Sequence, residues 1–383
     1  MMTEPRVAIR TIAKEWLRIG CIGFGGPPAH IALLRRRCVE ERQWITADEF
    51  EDGIAAVNLL PGPASTQLAI FCAWRLRGRL GAIVGGLGFI CPGLVMILAL
   101  SAVFLARHPP EWILGAAAGA GGAVPAVALS AASGFVPASW TRMGGTRRAH
   151  ERWVIYALAG GAGAVTIGPL LVLVLIACGL IEVTVRRAIP YMRTRAHVAL
   201  LAAVHGIGGF AAVAGVACKV GALSYGGGFV IIPLMQHDAV TTYHWMTGQQ
   251  FLDAVVLGQV TPGPVVLTTG VVGYAADGLI GGLLAVVVAF APSFLFVIYG
   301  GPYFDRIRTN VMIQAFFNGA GPAVIGAICG SAITLGLALV HLWQIPVLAG
   351  AMVWLFVARR GVVSALLIAA IVGIAVALGG VPV

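Results

Sequence analysis

From about residue 80 to its end, the chain is a succession of apolar runs separated by short polar connections. Most are long enough to cross the ~30 Å hydrocarbon core of a bilayer. They predict full spans at roughly 80–106, 111–140, 153–168 and 169–185, a linking span at about 198–216, and spans at 278–300, 311–340, 342–358 and 361–382. Two earlier stretches, around Gly23–Pro28 and around Pro61-Gly62-Pro63, are apolar but interrupted. Proline cannot donate a backbone hydrogen bond and its ring clashes with the preceding turn, so Pro61-Gly62-Pro63 must break any helix that contains it. The interrupted segments either dip into the membrane and return or cross it as broken helices, giving about 9–12 membrane segments in all. The expected fold class is an all-α polytopic membrane protein.

The pattern occurs twice, at an offset of 200 to 201 residues. Arg18-Ile19-Gly20 pairs with Lys219-Val220-Gly221, and Trp44, Phe50 and Asp52 pair with Trp245, Phe251 and Asp253. Pro61-Gly62-Pro63 pairs with Pro262-Gly263-Pro264, each preceded by a side-chain amide, Asn58 or Gln259. After a one-residue slip, Gly78, Gly81 and Pro92 meet Gly278, Gly281 and Pro292. Paired tryptophans and paired Pro-Gly-Pro breaks at one offset point to a duplicated unit. The expected division is 1–196 and 197–383, with the linking span turning the second copy over. Inverted-topology repeats with broken helices are an architecture of secondary transporters.

Charge supports that orientation. Under this layout 23 of the 25 Lys and Arg fall on one face, leaving Arg107 and Lys219. Such a bias marks the cytoplasmic side and places the N-terminus there, without a signal-peptide pattern. The loop Gln236–Gln250, equivalent to the arginine-rich loop 35–49, has no Lys or Arg. The composition agrees: 59% hydrophobic, 10% charged and 52 glycines, with a mean hydropathy of +0.93, outside any soluble globular class. The net charge of +10 therefore reflects membrane topology, and nucleic acid is excluded as a partner; the bilayer is the expected surroundings. The seven cysteines are scattered without C-x-x-C or Cys/His spacing, which fits small buried hydrophobes and no metal or cofactor.

The breaks carry the candidate chemistry. After Pro61-Gly62-Pro63, the amides of Ala64, Ser65 and Thr66 start a half-helix whose unpaired N–H groups and dipole favour an anion. Ser65, Thr66 and Gln67 add neutral side-chain donors. The second break, with Thr261, Pro262, Gly263 and Pro264, offers the amides of Val265 to Leu267 and Thr268 in the Gln67 position. It is poorer in donors, so substrate is expected nearer the first. The runs Gly25-Gly26-Pro27 and Gly226-Gly227-Gly228 allow re-entrant backbone to approach a site. Arg18 and Lys219 stand at the mouths of the two copies, and His30, Asp52 and Asp253 are candidate proton or orienting partners. No G-x-S-x-G, H-E-x-x-H, P-loop or dinucleotide motif is present, so an enzyme is not expected.

Gly25-Gly26-Pro27-Pro28-Ala29-His30-Ile31, Trp44, Phe50, Leu60-Pro61-Gly62-Pro63, Gln67-Leu68-Ala69 and Phe89 to Pro92 resemble the signature of the chromate transporter (CHR) family. Tyr225 to Phe229, Ile232-Pro233-Leu234 and Thr261 to Pro264 resemble its second-half motif, as in the long two-domain form. The resemblance implies a prokaryotic inner-membrane protein that exports chromate, confers resistance and is coupled to the proton-motive force. The residues themselves point to a tetrahedral oxyanion and leave chromate and sulfate both open. An anion channel is the alternative of another class, and a homodimer is a candidate assembly.

Overall fold

The computed structural model describes residues 7–57, 60, 62–106, 110–166, 171–186, 209–224, 231–301 and 310–382. Among them the chain is helical, with no strand. The helices are α1 (Ile9–Ile22), α2 (Gly26–Arg35), α3 (Ala47–Val57), α4 (Ala64–Phe104), α5 (Glu111–Met143), α6 (Arg147–Thr166) and α7 (Leu171–Arg186). They continue with α8 (Phe210–Leu223), α9 (Ile231–Gln236), α10 (Gly248–Val260), α11 (Thr268–Gly300), α12 (Val311–Leu337), α13 (Gln344–Met352) and α14 (Val362–Leu378). Four stretches, Ala64–Phe104, Glu111–Met143, Val265–Gly300 and Val311–Leu337, are long and apolar enough to cross a membrane. Large side chains such as Val95, Val287 and Leu337 are exposed on them, as surfaces facing lipid require.

The repeat recurs in the helix ends. Helices α1 and α8 start and stop 201 residues apart, as do the π-helical turns Arg36–Glu41 and His237–Thr242 that follow α2 and α9. Gln43 and His244, again 201 apart, take left-handed φ values of 50° and 52°. Residues 210–216, read above as part of a linking span, thus lie in α8 and correspond to α1. The match is hidden in the sequence because α1 carries Arg10, Lys14 and Glu15 where α8 has Ala211, Gly215 and Val216.

Helices α4 and α11 are not straight. Each contains a non-helical pair, Arg77-Gly78 or Asp277-Gly278, with the glycines at φ 57° and 62°, a region glycine enters without a Cβ penalty. A Cβ at Gly86 would stand 2.9 Å from Ile70, and one at Gly270 3.0 Å from Val286. Residues sixteen apart in a straight helix are separated by about 24 Å at 1.5 Å per residue. Each helix therefore folds back on itself: a short first limb begins at the Pro-Gly-Pro break, turns at the glycine, and returns as a long second limb.

Small residues set the packing. A Cβ at Gly20 in α1 would lie 2.7 Å from the Phe89 carbonyl oxygen in the second limb of α4, and Gly221 in α8 meets the Ala289 carbonyl in α11 in the same way. The two second limbs also touch, Gly86 against Phe294 and Leu98 against Gly282. Rising numbers on one meet falling numbers on the other, so these equivalent helices run antiparallel, as copies of opposite orientation do. The copies interlock: α14 packs on α5 through Gly119 and Gly373, and α6 and α7 pack on α12 through Gly160 and Gly319. The buried Glu182 of α7 is held there by Arg152 and Arg186.

Candidate functional site

The two breaks meet the opposite copy. Gly62 N–H donates to the Ser224 carbonyl at 2.6 Å, and Gly263 N–H donates to the Gly23 carbonyl at 2.9 Å. Gly23 and Ser224 are themselves 201 positions apart and end α1 and α8. The exchange is reciprocal, as at a two-fold interface. It explains where two freed backbone donors go in a medium without water. Gly62 and Gly263 have φ of 126° and 103°, which a side chain at either position would strain. The second break also needs Gly93, whose Cβ would collide with the Pro262 carbonyl.

Around the first break the lining is polar and uncharged. His30 is fully buried, its ring edge against Phe89 at 5.1 Å. Its Nε2 lies 2.9 Å from the Gly23 carbonyl oxygen and its Nδ1 3.2 Å from Ser65 Oγ. A carbonyl only accepts, so Nε2 carries the proton and, in the neutral ring, Ser65 Oγ–H donates to Nδ1. The Gly23 carbonyl thus accepts from both His30 and Gly263, joining the two breaks. The position of a Cβ on Gly62 is 3.1 Å from Ser293 Oγ and closer still to Gln67 Nε2. The hydroxyls of Thr66, Ser224 and Ser293 are buried without a hydrogen-bond partner. An unsatisfied buried polar group costs about 1–3 kcal/mol, so three of them on residues at one break, Ser293 beside Gly62, Thr66 in the half-helix and Ser224 whose carbonyl accepts from Gly62, are expensive for packing alone. They are acceptors and donors free for a ligand.

The second break differs. Thr261, Thr268 and Thr269 hydroxyls donate to the carbonyls of Leu257, Val265 and Val266 in their own turns. Their hydrogen atoms are spent locally. The backbone is also less open than the sequence indicates. Thr66 N–H donates to the Pro63 carbonyl and Leu267 N–H to the Pro264 carbonyl, so two amides per half-helix, not three, lack a helical acceptor: Ala64 and Ser65, and Val265 and Val266. The cause is the tight first turn after each Pro-Gly-Pro, a 3₁₀ turn at Val265–Leu267.

Charges stand further out. Glu15 in α1 is buried and accepts from Arg37 at 2.7 Å and from Arg42 at 2.9 Å. A small cavity of about 90 Å³ beside it is lined by Arg18, Arg36 and Arg37 among others. In the second copy Lys219 of α8 pairs with Asp238, which is the register equivalent of Arg37. The same two elements are therefore bridged in both copies with the signs exchanged. Lys219 has this carboxylate partner, whereas Arg18 is exposed.

The fold brings together Gly62, Pro63, Ser65, Thr66, Gln67 and His30 from the first copy with Gly263 from the second. Gly25 and Gly26 take positive φ at the start of α2, with Pro27 in its first turn. Gln259 is buried, with Nε2 unpartnered. Asn58, Pro61, Gly226, Gly227, Gly228 and Arg107 lie outside the described residues. Sequence reasoning missed Ser224 and Ser293; the available signal was a hydroxyl directly after Pro292 in an otherwise apolar run. Among the described residues no group of His, Cys, Asp and Glu could hold a metal.

A profile of one protein family, described as chromate transporter, matches residues 10–183 and 211–377. A chromate transport protein of Cupriavidus metallidurans is 33% identical over 350 residues, covering 87% of this chain and 84% of that protein. One of Pseudomonas aeruginosa is 31% identical over 365 residues, covering 89% and 84%. A probable chromate transport protein of Synechococcus elongatus is 29% identical over 355 residues, covering 88% and 87%. No solved structure matches. With a match across both halves, and relatives that are transport proteins rather than enzymes, this multi-pass membrane chain belongs to the chromate transporter family.

Proposed function

We propose that this chain exports chromate from a prokaryotic cytoplasm across the inner membrane, with its N-terminus inside, and that the oxyanion binds at the first Pro-Gly-Pro break. The observation that carries the reading is the set of buried, unpartnered hydroxyls on residues at the first break: Ser293 beside Gly62, Thr66 in the half-helix that follows it, and Ser224, whose carbonyl accepts from Gly62. Ala64 and Ser65 amides at a half-helix start add donors of the kind that hold anions. A tetrahedral dianion suits several neutral donors that replace its water shell without a fixed countercharge, which leaves release easy. Sulfate has the same shape and charge and is the expected competitor. The proposed units are 1–196 and 197–383, alternately exposing the shared site by rocking about the breaks.

Export needs a driving force. One charge crossing 100 mV is worth about 2.3 kcal/mol, so a dianion leaving a negative interior gains about 4.6 kcal/mol. That is roughly three powers of ten in concentration. The membrane-potential part of the proton-motive force is therefore sufficient to drive export.

The test is uptake of labelled chromate by everted membrane vesicles under an imposed potential. Accumulation against the gradient, competed by sulfate, is the expected outcome. Flux that does not saturate with chromate concentration would identify a channel, and no flux in intact vesicles would overturn the proposal.

A further inference from the structure

The charge around α1 is not matched around its equivalent, α8. In the first copy Glu15 is shared by Arg37 and Arg42, and Glu41 by Arg36 and Arg37. Arg18, one turn after Glu15 on the wall of the same cavity, has no carboxylate partner among the described residues. Four arginines thus stand with two carboxylates, a surplus of two positive charges at a cavity of about 90 Å³. One water needs roughly 10–15 Å³ of such space, so the cavity has room for a small oxyanion. In the second copy the same six positions are Val216, Lys219, His237, Asp238, Thr242 and Tyr243. Lys219 pairs with Asp238, and with His237 neutral no surplus remains.

The cavity adjoins the breaks. Its wall follows α1 from Glu15 through Arg18 and Ile19 to Ile22. The next residue, Gly23, supplies the carbonyl that accepts from Gly263 N–H and from His30 Nε2. Arg18 and Gly23 are five residues apart, about 7.5 Å by helical rise. Arg18 and Arg36 are exposed, and exposed guanidinium groups sit where water reaches them.

We propose that this cavity is a capture site at the cytoplasmic mouth, where a tetrahedral dianion is held by Arg18 and Arg36 before it reaches the breaks. Guanidinium groups hold such oxyanions through paired N–H donors. A dianion about 6 Å from one unpaired cation in water is bound about tenfold more tightly than without it. A positive mouth also raises the local anion concentration and speeds entry. The neutral equivalent in the inverted copy lets the anion go, while the direction of transport is still set by the driving force. The headgroup phosphate of a phospholipid presents the same chemistry, and the protection measurement below separates the two sources. The proposal rests on the transport and orientation given above; that measurement is independent of both.

The test uses the full chain in everted membrane vesicles, cytoplasmic face outward, as wild type, Arg18→Gln, Arg18→Lys and Arg148→Gln, the last removing an exposed arginine of α6. Initial chromate uptake is measured under a fixed imposed potential at equal membrane abundance. In about 0.01 M salt, Arg18→Gln is expected to raise KM about tenfold with kcat within about twofold. In about 0.15 M salt, where the Debye length is about 8 Å, the rise shrinks to about threefold. Arg18→Lys and Arg148→Gln should stay within about twofold of the wild type. Detergent-solubilised wild type is also treated with phenylglyoxal, which modifies arginine, and the modified positions are read by mass spectrometry. Sulfate is expected to protect Arg18 and to leave Arg148 reactive. An unchanged KM in Arg18→Gln, an equal rise in Arg148→Gln, or protection of Arg18 by phosphatidylglycerol but not by sulfate overturns the capture site. Protection of Arg18 by sulfate without chromate uptake by the wild type would instead retain the anion site and overturn the transport reading.

Discussion

At the scale of single residues, the difference between a kink and a site lies in hydroxyls. If Ser293 only fills space, Ser293→Ala removes an unsatisfied buried group and is neutral or stabilising. If it binds the anion, the same change weakens chromate binding about tenfold, the loss of about 1.4 kcal/mol in hydrogen bonding. A binding isotherm on purified protein, with a thermal melt beside it, separates the two. His30 is hydrogen-bonded to Ser65 and to the Gly23 carbonyl, and so positions the first break if that break binds the anion. His30→Ala should abolish transport, and His30→Gln, which can still donate and accept, should retain part of it, measured as chromate exchange at equal membrane abundance. Glu15 gives a pH dependence outside the spanning helices. Burial raises its pKa, but hydrogen bonds from Arg37 and Arg42 outweigh burial and hold it below the ordinary carboxylate range. A depressed folded pKa means that its contribution is complete above the unfolded value near 4.5 and is lost as pH falls through the folded one. Thermal melts below pH 4.5 should therefore lose less stability in Glu15→Gln than in wild type; equal slopes would contradict the pairing.

At the scale of elements, the breaks were legible because proline leaves no alternative to an interrupted helix. The half-helix start at Ala64 was legible for the same reason. The hairpin turns at Gly78 and Gly278 were not read as turns, although both glycines aligned in the repeat, since a lone glycine in a glycine-rich apolar run has no local signature. The reversal is set by the first limb packing on the second. Nor could Ser224 or Ser293 be assigned to the first break, because they arrive from the other copy through the Gly62–Ser224 exchange. Periodicity and breaker residues report on one segment at a time, whereas the candidate site is made by contacts between segments about two hundred residues apart. Gly93→Val tests that dependence. Its side chain would collide with the Pro262 carbonyl and displace the second break, so chromate exchange should fall at least about tenfold, with overpacking costing about 1–3 kcal/mol. Wild-type exchange by this variant would show that the second break is dispensable.

For the whole molecule, the sequence made the duplication plain through paired tryptophans and Pro-Gly-Pro, and the sign of the loops pointed to opposite orientations. Interlocking was not legible, because the partners α14 and α5, or α12 and α6, are joined by glycine contacts that share no motif. Antiparallel packing of the second limbs of α4 and α11 gives the orientation a direct check. Arg147→Cys and His244→Cys, each exposed, should label from opposite faces of intact cells in a background where the native cysteines are replaced.

The most direct measurement is potential-driven chromate uptake by proteoliposomes of the wild type and of Gly62→Leu, at matched protein content and inside-positive potential. Transport at the paired breaks predicts uphill accumulation in the wild type, competed by sulfate, and none in Gly62→Leu. Equal accumulation by the two proteins would contradict it.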